Sequence, residues 1–385
     1  MGEFGGFIAS DVGGALPFRY RAWFIYGLWM RTLKYANHRS VMKILYGVQG
    51  TGNGHTTRAR VMAKAFEQHD VEVDYLFSGR EASDYFDMEA FGNYQTRTGL
   101  TFVTQAGKVN GWQTVKQAKV KQFFKDIKEL DLSEYDFVFN DFEPISAWAA
   151  KKQKVPVIGM SHQAAFLSPK VPVIGSNILT RTMIRKFAPA DFYLGVHWQP
   201  FASNIIPPFI SQDHHASTPI TIKNKVLVYL PFESLGKVVE LLKGFPHFEF
   251  YCYHPDAQEE SVTHIHLRKP SRSGFLTDLC SSSGVIANAG FELSSEALCF
   301  GKKLLLKPLE GQFEQSSNAY MLSNIGLAKV MQFLDPDALE DWLLIPNREQ
   351  VNFPSDPHPL IEWLKQKQWH DMGHLSAQLW QGVKL

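Results

Sequence analysis

The chain has 385 residues, 45% hydrophobic and 20% charged, with a formal net charge of +1. Such length and composition suit two globular domains and exclude intrinsic disorder, while the near-zero charge leaves no global field for nucleic acid. Cys252, Cys280 and Cys299 are an odd set without metal-ligand spacing, read as buried thiols of a reducing compartment, and no run of ~20 apolar residues predicts a membrane span.

Residues 1–41 open Gly-rich and then mix Arg19, Arg21, Arg31, Lys34 and Arg39 with Tyr20, Trp23, Phe24, Tyr26, Trp29 and Tyr35. The apolar stretch at 22–30 is too short to span and lacks a small-residue cleavage site. It is read as an N-terminal extension, either poorly ordered or a basic aromatic helix lying in a membrane interface.

A short apolar strand at 42–48 runs into Gln49-Gly50-Thr51-Gly52-Asn53-Gly54-His55, and a helix through Arg58, Met62 and Phe66 follows. The dinucleotide fingerprint fails here, because the third glycine would fall at 55, where His55 stands. The phosphate-loop pattern fails too, lacking Gly-Lys-Ser/Thr. What remains is a loop kept small at Gly52 and Gly54 so that a substrate can approach, with His55 displayed at its end. Imidazole suits the task of taking a proton near neutral pH. The competing reading makes His55 a cap of the first helical turn.

A strand at 71–77, a helix at 80–91, a polar loop at 93–112 and a lysine-rich helix at 116–130 come next. The strand at 135–139 ends in Asn140-Asp141-Phe142-Glu143-Pro144, where Asn140 or Asp141 before a proline signals a helix start. Asp141 either caps that helix or, sitting at a strand's carboxyl end as His55 does, supports the imidazole. The strand at 155–160 leads to His162, a candidate for the cleft or the acceptor, with a hydrogen-bonded structural histidine as the alternative. Lys170, Arg181, Arg185 and Lys186 surround apolar positions at 166–188, a helix that touches a membrane-borne acceptor or simply forms outer surface.

Prolines cluster toward a linker at 206–221, after which a second strand–helix–strand series begins at 225–230, 235–242 and 248–253. His264 and His266 have strand spacing but no third ligand nearby, so a metal pair is rejected. Residues 268–273 form a basic loop. The stretch 284–328 then reads as strand, helix, strand: an apolar run ending in Asn288-Ala289-Gly290, a helix over 294–300, and a strand at 303–306. Gly290 lets a backbone approach, and the helix behind it turns free N–H groups and its positive end toward an anion such as a diphosphate. Glu296 on that helix can accept from a vicinal diol, and Glu314 with Gln315 delivers a second polar pair to the same sheet edge. Asp335-Pro336-Asp337 is read as a capping pattern from Asp337 and Glu340 for a helix at 338–344, and no metal is expected.

The order Asn288-Ala289-Gly290, then Glu296-Ala297-Leu298, Gly301, Pro308, Glu314-Gln315 and Asn318-Ala319 resembles the nucleotide-sugar half of the two-domain GT-B glycosyltransferases. The loop at 50–58 is also similar to that group. The likeness is greatest to the family 28 and UDP-glycosyltransferase branch, which includes the N-acetylglucosaminyl transferase of peptidoglycan synthesis, and within it to a bacterial and archaeal family of undefined acceptor. The wider group has His where Asn288 stands and a small hydroxyl residue where Leu293 stands. The resemblance implies an α/β protein of two Rossmann-like domains facing across a cleft, at 42–205 and 222–358, with a C-terminal helix at 359–385 packing back on the first. It implies Gly290 near the diphosphate, Glu296 on the ribose, and Glu314 and Gln315 on the donor sugar.

The expected activity is inverting, metal-independent transfer from a nucleotide-diphosphate sugar, UDP-linked above all, to an acceptor hydroxyl, with His55 as base and Asp141 behind it. No cofactor is expected beyond the donor as substrate. A glycan or lipid-linked acceptor, a cytoplasmic site with peripheral contact at the inner membrane face, and a role in cell-envelope glycan synthesis complete the expectation. A nucleotide-sugar 2-epimerase and a non-catalytic nucleotide-sugar-binding subunit stay open as alternatives.

Overall fold

The computed structural model describes residues 41–100, 104–105, 108–109, 120–175, 178–211 and 220–385. The extension at 1–41 falls almost wholly outside them, as do 212–219 of the linker and most of 101–119 of the polar loop and lysine-rich helix.

The first sheet is built from β1 (Met42–Gln49), β2 (Val71–Ser78), β3 (Tyr94–Arg97), β6 (Phe137–Asp141), β7 (Val157–Ser161), β8 (Phe192–Val196) and β9 (Ile205–Ile206), with β4 (Thr104–Gln105) and β5 (Lys108–Val109) pairing apart as a small hairpin. Its order is β3-β2-β1-β6-β7-β8-β9, and every pairing is parallel. Parallel strands need crossovers, and helices supply them on the sheet faces, so the inner strands are buried on both sides. That is why β1, β6 and β7 read as nearly unbroken apolar runs.

The crossovers and flanks of this half are α1 (Asn53–Gln68), α2 (Val120–Glu129), α3 (Pro144–Gln153), α4 (His162–Ala165) and α5 (Ile178–Phe187). The second sheet follows the same plan with β10 (Lys225–Tyr229), β11 (Glu249–Tyr253), β12 (Glu260–Val262), β13 (Ile265–Arg268), β14 (Gly284–Asn288), β15 (Lys303–Lys307) and β16 (Lys329–Val330). Its order is β12-β13-β11-β10-β14-β15-β16, parallel except for the exposed edge strand β12. Helices α6 (Leu235–Lys243), α7 (Arg272–Ser281), α8 (Phe291–Cys299), α9 (Phe313–Asn324) and α10 (Pro336–Leu343) accompany it.

Two helices close the chain, α11 (His358–Gln366) and α12 (Met372–Trp380), where the sequence predicts one. The break is local: Lys367 turns left-handed at φ +55°, and Asp371 caps the next helix by accepting from His374 N. Both pack back on the first half. Trp369 meets Phe137 edge-on at 5.0 Å, and Ser376 Oγ and Trp380 Nε1 both donate to Ile205 O. The largest apolar cluster therefore runs without interruption from Ile44 and Phe139 through Leu227 and Val285 to Leu360 and Trp363.

Several local expectations shift. The helix expected at 80–91 is instead two 3-10 turns, Ala82–Asp84 and Glu89–Phe91, because Arg80 reaches back to the Gly50 carbonyl and Asp87 and Gly92 take left-handed backbone. The cap of α10 is Asp335, accepting from Asp337 N and Ala338 N, with Pro336 just inside; Asp337 is already the second residue of the helix. His264 and His266 are held separately, one on Leu242 O and the other on Glu249. All three cysteines are buried and free, and burial pushes Cys252 up to about 12 and Cys299 up to about 11.

Candidate active site

The carboxyl end of β1 adjoins that of β6, with Val48 in register with Asp141. The turn beyond β6 sets the direction of the Asp141 side chain. Phe142 there adopts a left-handed φ of +56°, costly for a bulky residue, and the turn is held by Asn140, which accepts from Glu143 N and donates to Glu143 O. The cap of α3 is Glu143, fully buried, whose carboxylate takes hydrogen bonds from Ile145 N, Ser146 N, Ser146 Oγ and Ser78 Oγ. Neither Asn140 nor Asp141 caps the helix, so Asp141 is left for other work.

That work is done against α1. The helix starts at Gly52, without a side-chain cap, and His55 lies in its first turn. The imidazole does not cap; its Nδ1 lies 2.8 Å from Asp141 Oδ1. A carboxylate only accepts, so this contact is a hydrogen bond in the tautomer that carries its hydrogen on Nδ1 and leaves the Nε2 lone pair free; Arg58 Nη2 lies 3.2 Å from the same Nδ1. One turn on, Arg58 grips the same carboxylate with two bonds of 2.8 Å from Nε and Nη2, and its Nη1 pairs with Glu292 of α8.

The four groups are unequally buried: Asp141 is 0% and Arg58 3% exposed, while the His55 side chain retains 15%. Burial would raise the Asp141 carboxyl, but Arg58 and His55 overcome it and hold the group below its ordinary range. Burial likewise disfavours the Arg58 charge, and the two carboxylates more than offset this. Glu292 differs: burial dominates, Asp141 adds to it, and its pKa is raised despite Arg58.

The sequence signals only half of this. Arg58 shares a helical face with Met62 and Phe66, both buried, and an arginine on such a stripe needs buried partners. Glu292 gives no comparable sign, lying in the unremarked first turn of α8.

The two halves meet closely along α1 and α8. A Cβ on Gly54 would lie 2.9 Å from Glu292 Cγ, so this glycine serves the approach of the halves to each other. Beyond it, His162 of α4 is 1% exposed and stacked on Phe291 at 4.0 Å. Its Nδ1 lies 2.8 Å from Val196 O and its Nε2 lies 2.7 Å from the Asn318 side-chain amide, so both nitrogens have a protein neighbour at hydrogen-bond distance and the neutral ring donates from one of them. Burial, the largest influence, keeps its pKa below the ordinary histidine value against the pull of Glu314. Trp198 Nε1 donates to Ser295 Oγ across the same seam, and Gln163 Nε2 donates to Glu314.

The remaining candidates lie around the N-terminal end of α8. That helix begins three residues earlier than the sequence suggests, at Phe291, with Gly290 as its N-cap and no side chain bonded to the cap. A Cβ on Gly290 or on Gly52 would meet no atom within 4 Å, so both helix starts face open space. Asn288 donates to Lys307 O, and its buried Oδ1 has no partner. Glu296 sits on α8, where burial and then Glu292 push its carboxyl up to about 7, while Arg272 and Arg60 pull the other way. Arg272 opens α7 from the basic loop at 268–273. Gln315 is mostly buried, and its Oε1 accepts from Leu309 N, which pins the loop after β15.

Two largely parallel α/β sheets, each presenting glycine-bearing strand ends to a common seam, with a His–Asp pair on one side and an uncapped helix start on the other, make a two-domain Rossmann-like α/β protein. The sequence matches the model for Glycosyl transferase family 1 over residues 42–346, and the chain belongs to that family. It is 22% identical over 334 residues to an uncharacterized glycosyltransferase of Methanosarcina mazei, covering 77% of this chain and 87% of that one. Among solved structures it superposes on LpCGTa in complex with UDP with a TM-score of 0.53 at 13% identity, covering 80% of this chain and 91% of the other. Phytolacca americana UGT2, solved with UDP-2-fluoro-glucose and pterostilbene, gives 0.52 at 12% identity, covering 88% and 94%. The protein is thus a glycosyltransferase.

Proposed function

We propose that this glycosyltransferase moves a sugar from a nucleotide-diphosphate donor, a UDP-sugar before others, to an acceptor hydroxyl with inversion at the anomeric carbon. The observation that carries the reading is the His55–Asp141 pair, 2.8 Å apart, with Nε2 left to receive the acceptor proton. A base bonded through Nδ1 to a buried carboxylate keeps its orientation and gains a counter-charge when it is protonated. Attack by the activated oxygen opposite the departing diphosphate inverts the centre.

The leaving group gathers negative charge, and the start of α8 supports the site chosen for it. Its free N–H groups and dipole can take that charge in place of a metal. The unpartnered Asn288 Oδ1 and the open space at Gly290 and Gly52 support a donor lying between the two helix starts. Glu296 would receive the ribose hydroxyls, Arg272 would add positive charge nearby, and Glu314 with the side-chain NH2 of Gln315 would meet the sugar. His162, held at both nitrogens, acts in this reading by fixing the seam.

The acceptor class is the least constrained part, and a glycan or lipid-linked hydroxyl reached from the cytoplasmic face is retained. Among the described residues no helix is long and apolar enough to cross a membrane. Melting curves with UDP-, GDP- and dTDP-sugars test the donor, since a ligand bound only by the folded state raises the melting temperature. A UDP-sugar should give the largest rise, and no rise with any of them at millimolar concentration refutes the reading.

A further inference from the structure

Far from the seam, the C-terminal end of α1 meets the start of α11 through three groups with metal-binding chemistry. His69, the C-cap of α1, and His358 and Glu362 of α11 place one ligand atom each within 4.8 Å of one another. His358 and Glu362 are four residues apart and so share a helix face. His358 Nδ1 lies 3.2 Å from His69 Nε2. Zinc bonds imidazole nitrogen at about 2.0–2.1 Å, so tetrahedral angles set two such nitrogens about 3.3 Å apart, close to the distance between these two.

We propose that His69, His358 and Glu362 form a site for a divalent transition ion of the zinc class, which clamps the returning C-terminal segment onto α1. Two imidazoles and a carboxylate are the borderline donors such ions prefer over magnesium or calcium. The nitrogens already stand at the required separation. Glu362 offers a carboxylate oxygen within 4.8 Å of both nitrogens, and its present neighbour Lys365, at 3.7 Å, is a weak half-exposed pairing that the ion would displace. His358 is exposed, so the ion has an entry path, and water can fill the fourth position. The existing joint is otherwise slight here, with Lys365 Nζ reaching His69 O at 3.4 Å.

The site lies at the opposite end of α1 from His55, roughly 20 Å away at 1.5 Å per residue. It therefore acts on the hold of the C-terminal segment and not on sugar transfer itself. A metal-free explanation of the same 3.2 Å exists, in which one neutral imidazole donates to the other, and the experiment separates the two.

The full-length chain, stripped with chelator, is titrated with zinc chloride by calorimetry and by melting, with magnesium chloride as control. One zinc per chain is expected, with a rise of roughly 2 °C or more at a hundredfold excess over Kd and none with magnesium. His358→Ala should abolish this binding, and Glu362→Gln, a surface change that leaves the fold intact, should weaken it by more than the roughly tenfold that loss of an outer partner costs. Absence of zinc binding in the wild-type chain would leave only the histidine–histidine hydrogen bond. Equal binding by wild type, His358→Ala and Glu362→Gln would place the ion on other histidines. Either result overturns the proposal.

Discussion

The two loops that face each other across the seam are finished to different degrees. On the front side, His55, Arg58 and Asp141 satisfy one another through 2.8 Å contacts, and the turn beneath them is fixed by Asn140 and Glu143. On the rear side, Asn288 keeps a buried oxygen without a partner, α8 starts without a side-chain cap, and Glu292 and Glu296 both hold raised pKa values. A base must be oriented before substrate arrives, so its surroundings are built from protein alone. A cradle for a nucleotide sugar is completed by the nucleotide sugar: the N–H groups at the start of α8 are donors for its diphosphate, and the Asn288 oxygen and the Glu296 carboxylate are acceptors for its hydroxyl groups.

The largest effect should come from the finished side. His55→Ala removes the proposed base and should lower the transfer rate ~100 to 10,000-fold while donor affinity stays nearly constant. Single-turnover kinetics beside calorimetric donor binding measure both. An unchanged rate would remove the front loop from catalysis and leave the contrast between the loops without functional meaning.

Arg58 ties the two sides together, and Arg58→Met tests the tie. It fills similar volume but strands the Glu292 carboxyl and leaves the Asp141 charge with His55 as its one remaining partner, which should cost about 3–5 kcal/mol of unfolding free energy in a urea titration. Adding Glu292→Gln removes the stranded carboxyl and should restore part of the loss. If the single variant melts like the parent, the ion pair across the seam is not what holds the halves in register.

A smaller loss is expected where the seam is neutral. Ser295→Ala deprives the fully buried Trp198 indole of its acceptor, at a cost of about 1–3 kcal/mol for a stranded N–H. Because Phe291 stacks on His162 and lies tilted against Trp198 at 4.6 Å, part of the change should also appear as altered tryptophan fluorescence in the native state.

How far the sequence discloses these parts follows from their physics. Strands buried on both faces announce themselves as unbroken apolar runs, so both sheets are legible, and glycine loops after such strands point to the ligand side. His55 and Asp141 stand out as candidates because both lie near the carboxyl ends of strands, Asp141 as the last residue of β6 and His55 in the first turn of the helix that follows β1. Their partnership with Arg58 and Glu292 is not legible, since it depends on two segments more than 200 residues apart meeting at one guanidinium. The 3-10 turns after β2 are hidden for a similar reason: Arg80 bonds to the Gly50 loop instead of supporting a local helix. Gly54 shows the converse: the sequence suggests room for a substrate there, and the structure sets Glu292 of α8 against it.

The smallest expected effect belongs to the unfinished side and is read as a pH dependence. Glu296 has an ordinary value of 4.5 and is raised to about 7 in the fold, so the folded chain binds this proton more tightly than the unfolded one. Its contribution to stability is complete below about 4.5 and is lost as pH rises through about 7, and Glu296→Gln should remove that decline from the stability–pH curve. The donor should show the opposite trend, because a carboxylate accepts from two hydroxyls while the protonated acid competes as a donor itself. Donor Kd should fall about tenfold between about pH 6 and about pH 8 in the parent chain, as expected for one linked proton, and the fall should vanish in Glu296→Gln. Calorimetry at the two pH values decides it: an unchanged slope in the variant would move the ribose contact away from Glu296 and put the completion of the rear loop on Asn288 and Arg272.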